Sequence, residues 1–224
     1  MSNINNTNLT NVDLSGVTDF ASANLAGAIL TGVTINYVTD LSGAILNGVI
    51  SGGIIYVPNP VTADEVGPIL PPNWSILNGY LVGPGANLTN ADLNSEVFTD
   101  LRLFGADFTG ANLSNAVFRN SALSKCNFSG ADVSGAKFTG ANLQNTIFSS
   151  AVFSETTTFK NSTISSVAYT KSASLNGIIS GNIIDSAGAI FAYTTATNKL
   201  PANWSVINGY LVGPGANLTN ADLN

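Results

Sequence analysis

From Ala86 to Glu155 the chain runs as fourteen consecutive five-residue units without an insertion, each a small residue, a polar one, a large apolar one and a polar corner. The large position, every fifth residue from Leu88 to Phe153, is always Leu, Phe or Val. Two residues before it, nine units carry Ala, three carry Ser121, Cys126 or Thr146, and two depart with Glu96 and Leu101. Two residues after it, nine units carry Gly or Asn. Apolar residues two apart send alternate side chains of an extended segment into one core, and a period of five fits neither an α-helix nor an unbroken strand. The chain must therefore turn after every unit, at corners where Gly and Asn accept backbone angles that other residues resist. A short regular repeat of this kind is a solenoid, each coil stacking on the next.

The order of the large residues predicts the number of sides. A four-sided coil of twenty residues stacks Phe98, Phe118 and Phe138 in one column and Leu103, Leu123 and Leu143 in another, whereas a coil of fifteen would set Phe98 on Leu113. Rings on rings and branched chains on branched chains make uniform layers at strand spacing, so four sides are expected.

The units Ala86-Asn87-Leu88-Thr89-Asn90, Ala111-Asn112-Leu113-Ser114-Asn115 and Ala131-Asp132-Val133-Ser134-Gly135 resemble those of the pentapeptide-repeat family, A(D/N)LXX. The resemblance implies an all-β fold, a right-handed quadrilateral β-helix. It covers about half the chain. Glu96, Leu101 and one extra residue between Phe153 and Phe159 are departures that bear on individual corners.

A looser form of the rhythm runs from Asn3 to Leu46, with centres at Ile4, Leu9, Leu14, Phe20, Leu25, Leu30, Ile35, Leu41 and Leu46. Steps of six before Phe20 and Leu41 shift the phase and read as bulged corners. The stretch from Tyr56 to Pro72 holds five prolines and cannot sit inside a hydrogen-bonded stack, so it is expected to leave the helix as a loop. A second loop is expected at 185–202. Residues 73–94 and 203–224 differ only at Ile76/Val206 and Leu77/Ile207, which lays a long-period repeat over the short one. Trp74 and Trp204 stand where the chain returns to the stack, and each is expected to cover the edge of a coil opened by its loop. The expected organisation is a first β-helical segment at 1–55, a proline-rich loop and return segment at 56–85, the main β-helical segment at 86–184, a second loop and return segment at 185–215, and the start of a further coil at 216–224. The stack is expected to continue through both loops.

Composition narrows the chemistry. The chain is 45% hydrophobic and 9% charged, but its longest apolar run, Gly43 to Val57, is interrupted by Gly48, Gly52 and Gly53 and is too short and polar to span a bilayer. No basic start followed by an apolar block marks a signal peptide, so a cytoplasmic location is the default and an extracellular one follows if the protein forms a surface fibre. The absence of histidine removes the commonest general base and the commonest zinc ligand. Cys126 occupies an inward small-residue slot and reads as a buried filler. Asp64-Glu65 lies in the proline-rich loop without a partner base, and the glycine pairs lack the lysine of a phosphate loop. No catalytic residue, cofactor site or metal site is expected. Thr89, Thr109, Ser129 and Ser149 form an outward hydroxyl column and read as a solvated face.

Residues 1–101 hold eight acids and no Lys or Arg, while residues 102–224 hold five acids and all seven bases. This is either drift in a weakly charged surface or a pair of complementary ends. The text Asn217 to Asn224 nearly repeats Asn8 to Ser15, and neither end carries a polar cap. Either the chain is cut from a longer repeat protein, or copies stack head to tail with Leu9 and Leu14 at one end and Leu218 and Leu223 at the other. The expected function is a non-enzymatic structural solenoid that self-associates into a fibre or scaffold. The alternative is a protein-binding module. The resemblance raises a DNA-like partner of a type II topoisomerase, but duplex DNA would carry on the order of ten charges over roughly 17 Å of coils. Residues 86–155 hold six acids against four bases. No nucleic-acid partner and no membrane span are expected, and the sequence names no protein partner.

Overall fold

The computed structural model describes residues 3–58, 67–154, 156–162, 203–208, 210–213, 216, 218, 221 and 223. The expected loop at 185–202, the last part of the expected main segment (163–184) and residues 59–66 of the proline-rich loop lie outside them. The fold is an all-β, right-handed four-sided β-helix, and the chain divides into two compact units, Met1–Leu88 and Thr89–Asn224.

In the second unit the coils stack at the expected period. Parallel bridges join Asp92 to Asn112, Val97 to Val117, Arg102 to Ala122 and Asp107 to Asn127, and the same spacing continues to Asp132 and Val152. Each rung is a pair of main-chain bonds. The Leu113 N–H donates to Asp132 C=O (2.8 Å) and the Asp132 N–H donates to Ala111 C=O (3.0 Å). The extra residue between Phe153 and Phe159 is absorbed at one corner, where Lys137 pairs with Thr158. Phe159 consequently still stacks on Phe138, with ring centroids 4.9 Å apart.

The regular corners from Glu96 to Ala151 are closed by a bond from the small-position N–H to the preceding large-position carbonyl, as from Ala111 to Phe108 (3.0 Å) and Ala116 to Leu113 (3.0 Å). The residue before the donor has a positive φ, the requirement of a type II turn at its third position. Glycine fills it at Gly110 and Gly140, and asparagine at Asn90, Asn115 and Asn120. Glu96 and Leu101 do not disturb the pattern, because Ser95 and Asp100 adopt the same φ of about 60° and both turn bonds form.

Corners also stack in a chosen order. The side-chain oxygen of Asn90 occupies the place a Cβ on Gly110 would take, and Asn120 does the same over Gly140. Gly130 has the same backbone angle with open space around it. Gly110→Ala is therefore expected to cost about 2 kcal/mol, left-handed strain plus displacement of the Asn90 amide, against about 1 kcal/mol for Gly130→Ala. Urea unfolding of the two variants measures the difference, and equal costs would show that the asparagine imposes nothing on the coil above.

The first unit has a coil of 21 residues, with Asn3 paired to Asn24, Asn8 to Ile29, Asp13 to Thr34 and Asp19 to Asp40. Strands β1 (Ile29–Thr31) and β2 (Thr34–Asn36) pair in parallel with β3 (Ile50–Gly52) and β4 (Ile55–Val57). The six-residue steps do not put the coils out of phase with one another. They fall once per coil at the same corner, so one bulge lies over the other. Asn36 and Thr39 tie this corner together, the Asn36 side-chain amide donating to the Ser15 carbonyl and the Thr39 hydroxyl donating to Asn36 Oδ1 (3.2 Å). The proline-rich loop leaves from that corner too, since Ile55 pairs with Thr34 and the chain is back in the stack at Ile69, paired with Asp40. A corner that already projects takes extra residues without disturbing the ladder beneath.

The return segment is an antiparallel hairpin, β5 (Ser75–Leu77) against β6 (Tyr80–Val82). Asn78 and Gly79 both have positive φ (45° and 75°), as a two-residue type I′ turn requires. The hairpin is bonded to the third coil by the Leu81 N–H donating to the buried Ser51 hydroxyl (2.8 Å) and the Ile54 N–H donating to Gly79 C=O (3.1 Å). Trp74 packs against the core of this unit, and Gly83 lies under its ring where any side chain would collide. In the second unit β7 (Ser205–Ile207) and β8 (Tyr210–Val212) pair in the same antiparallel register, with Gly213 against the ring of Trp204.

Candidate functional surfaces

The interior of the second unit is built from two ring ladders. Phe98, Phe118, Phe138 and Phe159 stack face to face, as do Phe108, Phe128 and Phe148, and the two ladders meet edge to face at 5.7 to 6.1 Å. In the first unit a small apolar cavity is lined by Phe20, Leu25, Ile35 and Leu81 among others. A groove beside Tyr56, Pro58, Pro68 and Ile76 gathers no carboxylate or amine among the described residues. Among the described residues no group of three potential metal ligands occurs, and no helix is long and apolar enough to cross a membrane.

Polar residues in the inward small slots are satisfied by the backbone. The hydroxyls of Ser121, Thr146 and Thr157 donate to the carbonyls of Phe98, Leu123 and Val133 (2.9 to 3.1 Å). The Cys126 Sγ–H donates to Leu103 C=O in the same way (2.9 Å). Burial pushes its thiol up to about 12, far from the thiolate needed for reaction. Cys126 is accordingly expected to resist a thiol reagent at pH 8 in the native protein and to label fully in denaturant. Rapid native labelling would show that the coil opens there.

Outward Asn and Asp side chains fold back on the chain two residues ahead. Asp13, Asp40, Asp107, Asn112, Asn127 and Asp132 each accept the N–H of the residue two positions on. This explains why the second position of each unit favours Asn or Asp: the side chain supplies an acceptor the strand lacks. The outward hydroxyls join in, Thr109 donating to Asp107 (2.5 Å) and Asn127 donating to Thr109 (2.9 Å). Burial works against ionisation of Asp132, but bonds from Ser134 and Ser114 outweigh it and hold its carboxyl below the ordinary carboxylate range.

Repeats of five, a coil of four units, Ala and Leu or Phe inward and Asn or Asp outward are the features of one family, and the pentapeptide-repeat family model matches residues 2–36 and, in overlapping stretches, 84–120, 102–140 and 126–157, eight copies in all. The chain belongs to the pentapeptide-repeat family. No functionally curated protein matches it. Among solved structures it is similar to HetL, a pentapeptide-repeat protein involved in heterocyst differentiation regulation from the cyanobacterium Nostoc, at 23% identity over 85% of this chain and 92% of that one, with a TM-score of 0.28. It is similar to a pentapeptide-repeat protein of the Arabidopsis thaliana thylakoid lumen at 30% identity over 36% and 63%, with a TM-score of 0.19. It is also similar to QnrB1, a plasmid-mediated fluoroquinolone resistance protein, at 16% identity over 80% and 90%, with a TM-score of 0.31. With scores this low, none of the three says what this chain binds.

Two surfaces of this pentapeptide-repeat protein stand out. The first is the coil of residues 3–22. Its large residues Ile4, Leu9, Leu14 and Phe20 are partly exposed, whereas Leu25, Leu30, Ile35 and Leu41 one coil on are buried. The main-chain N–H and C=O groups of Asn3, Asn8, Asp13 and Asp19 make no bond to any described residue, while Ile29 and Thr34 in the next coil bond both ways. Of the other two residues expected at an end, Leu218 is half-buried and Leu223 is 40% exposed.

The second surface was not read from the sequence. Let side one of the second unit be that of Phe98, Phe118, Phe138 and Phe159, side two that of Leu103, Leu123 and Leu143, side three that of Phe108, Phe128 and Phe148, and side four that of Leu93, Leu113, Val133 and Phe153. Arg119, Lys137 and Lys160 project from side one and Arg102 from side two, all exposed. Lys125, on the corner after side two, leans back over the Phe104 ring with Nζ 5.2 Å from its centre. Asp107 lies on side three, and Asp92 and Asp132 lie on side four. The described cations of the coils are thus confined to two sides, a pattern visible only once residues are indexed by a coil of twenty.

Proposed function

We propose that this protein is a non-enzymatic structural β-solenoid that self-associates end to end, its coils adding to one another to build a fibre or scaffold. The observation that carries the reading is the coil of residues 3–22, where four partly exposed core side chains sit beside a row of main-chain groups unpaired among the described residues. Such an edge is a template for another strand layer, and its seat is shaped for a coil of the same cross-section. A second copy offers that cross-section. Contacts of this kind between unlike surfaces do not close and so propagate. Sedimentation over a wide concentration range together with negative-stain electron microscopy tests the proposal. Growth of the mean mass with concentration and filaments of increasing length are expected, and a strictly monomeric species throughout would overturn it.

A DNA-like surface for a type II topoisomerase has less support. Sides one and two of the second unit present five exposed cations, the opposite of a phosphate backbone.

A further inference from the structure

The sorting of charge by side fits a second, lateral surface. Along the coil, side one faces side three and side two faces side four across the core, so sides one and two form one half of the second unit and sides three and four the other. The first half carries Arg102, Arg119, Lys125, Lys137 and Lys160, opposed there by Glu96 on side one and Asp100 at the corner between its two sides, an excess of three positive charges. The second half carries Asp92, Asp107 and Asp132 and no cation among the described residues. We propose that copies of this chain associate side by side, the basic half of one seating on the acidic half of the next.

Three observations commit the surface to a second copy. The first is spacing. Arg119 and Lys160 lie two coils apart in one column, with Thr139 between them, and Asp92 and Asp132 lie two coils apart in another, with Asn112 between them. Both pairs therefore repeat at roughly 9.6 Å, so one register aligns both contacts. The second is apolar content. Val97 and Phe104 are exposed on the basic half and Ile147 and Val152 on the acidic half, so each half offers apolar side chains that gain by exclusion of water. The third is charge complementarity within one chain: the cations of the basic half and the carboxylates of the acidic half are both present on every copy, so a second copy supplies the surface that the first one fits. Like the end contact, the lateral one joins unlike surfaces and propagates, but it rests on different residues and does not need the end contact.

The test uses the full chain in two charge-reversed forms, Arg119→Glu with Lys160→Glu and Asp92→Lys with Asp132→Lys, each first shown by circular dichroism to melt near the wild type. Sedimentation is run at 20 mM and 500 mM NaCl, which shortens the screening length from about 20 Å to about 4 Å. For the wild type, the weight-average mass is expected to fall at least twofold at the higher salt. Each variant alone is expected to show the smaller mass at both salts, and an equimolar mixture of the two to regain the larger mass at 20 mM. A salt-insensitive wild type overturns the proposal whether or not the variants fold, and so does a mixture that stays small. A 30-base-pair DNA duplex is the competing probe: if the Arg119 and Lys160 variant loses duplex binding while self-association is unchanged, the basic half belongs to a polyanion instead. Negative-stain images separate this inference from the end-to-end reading, since loss of the lateral contact narrows the assemblies and loss of the end contact shortens them.

Discussion

Phe128→Ala is expected to lower the unfolding free energy by about 4 kcal/mol, within the upper range for deleting a buried ring, and the melting temperature by about 10 °C. Phe128 is fully buried, stacked on Phe108 at 4.8 Å and Phe148 at 4.9 Å, and edge-on to Phe118 and Phe138 at 5.8 Å. One truncation therefore removes four ring contacts. The void cannot collapse, because coil spacing is fixed by the main-chain bonds Phe108 N–H to Asn127 C=O (2.7 Å) and Phe128 N–H to Ile147 C=O (2.7 Å). Phe128→Leu keeps most of the apolar volume and is expected to cost about half as much, chiefly the lost ring geometry. Urea unfolding followed by far-UV circular dichroism measures both. If Phe128→Ala cost no more than Val133→Ala, which removes a smaller side chain outside the ladders, the rings would be filling space rather than bracing the coils.

These ladders were legible before any coordinates because two periodicities reinforce one another. The period of five fixes which residues turn inward, and the alternation of Phe with Leu or Val keeps like on like in a coil of twenty but not in one of fifteen. Corner chemistry was legible for the same reason, since Gly and Asn mark most of the places where φ turns positive, with Ser95, Ser150, Asp100 and Lys125 filling others in the second unit. Two things were harder to see. The six-residue steps before Phe20 and Leu41 look like loss of phase along a line, and only stacking reveals that each falls on the other's corner, where the proline-rich loop also leaves.

The hairpin at β5 and β6 did carry a signal, Asn78-Gly79 between two apolar runs. Its flanks hid it. Ile76-Leu77 and Leu81-Val82 place apolar residues side by side instead of alternating, because this hairpin packs on a coil with one face and is pinned through the Ser51 hydroxyl. The segregation of charge was present in the sequence as well, but Arg119, Lys137 and Lys160 fall together only after they are assigned to one side. Reading charge from one end of the chain to the other finds the asymmetry of the halves and misses the asymmetry of the faces.

Leu9→Lys with Leu14→Lys is expected to raise the concentration at which end-to-end assemblies form by roughly 10-fold. Each leucine is already largely covered and so retains about a quarter of the 1.5 to 3 kcal/mol that full burial of such a side chain yields. Together they hold about 1 to 1.5 kcal/mol for a partner coil to gain, and about 1.4 kcal/mol corresponds to a factor of ten in association. The ammonium groups add a desolvation penalty to the lost apolar contact, so the estimate is a lower bound for the pair. Val17→Lys is the matched control. It adds a lysine in the same coil at the exposed, bulged corner, where a partner stacked on Leu9 and Leu14 would not meet it. Because coils interact with their neighbours alone, the double variant should leave the unfolding of the ring ladders unchanged, and circular dichroism during a urea titration checks this. Should Val17→Lys disperse the assemblies as fully as the double variant does, added positive charge rather than the open apolar coil would account for the effect. End-to-end growth through residues 3–22 would then lose its physical basis.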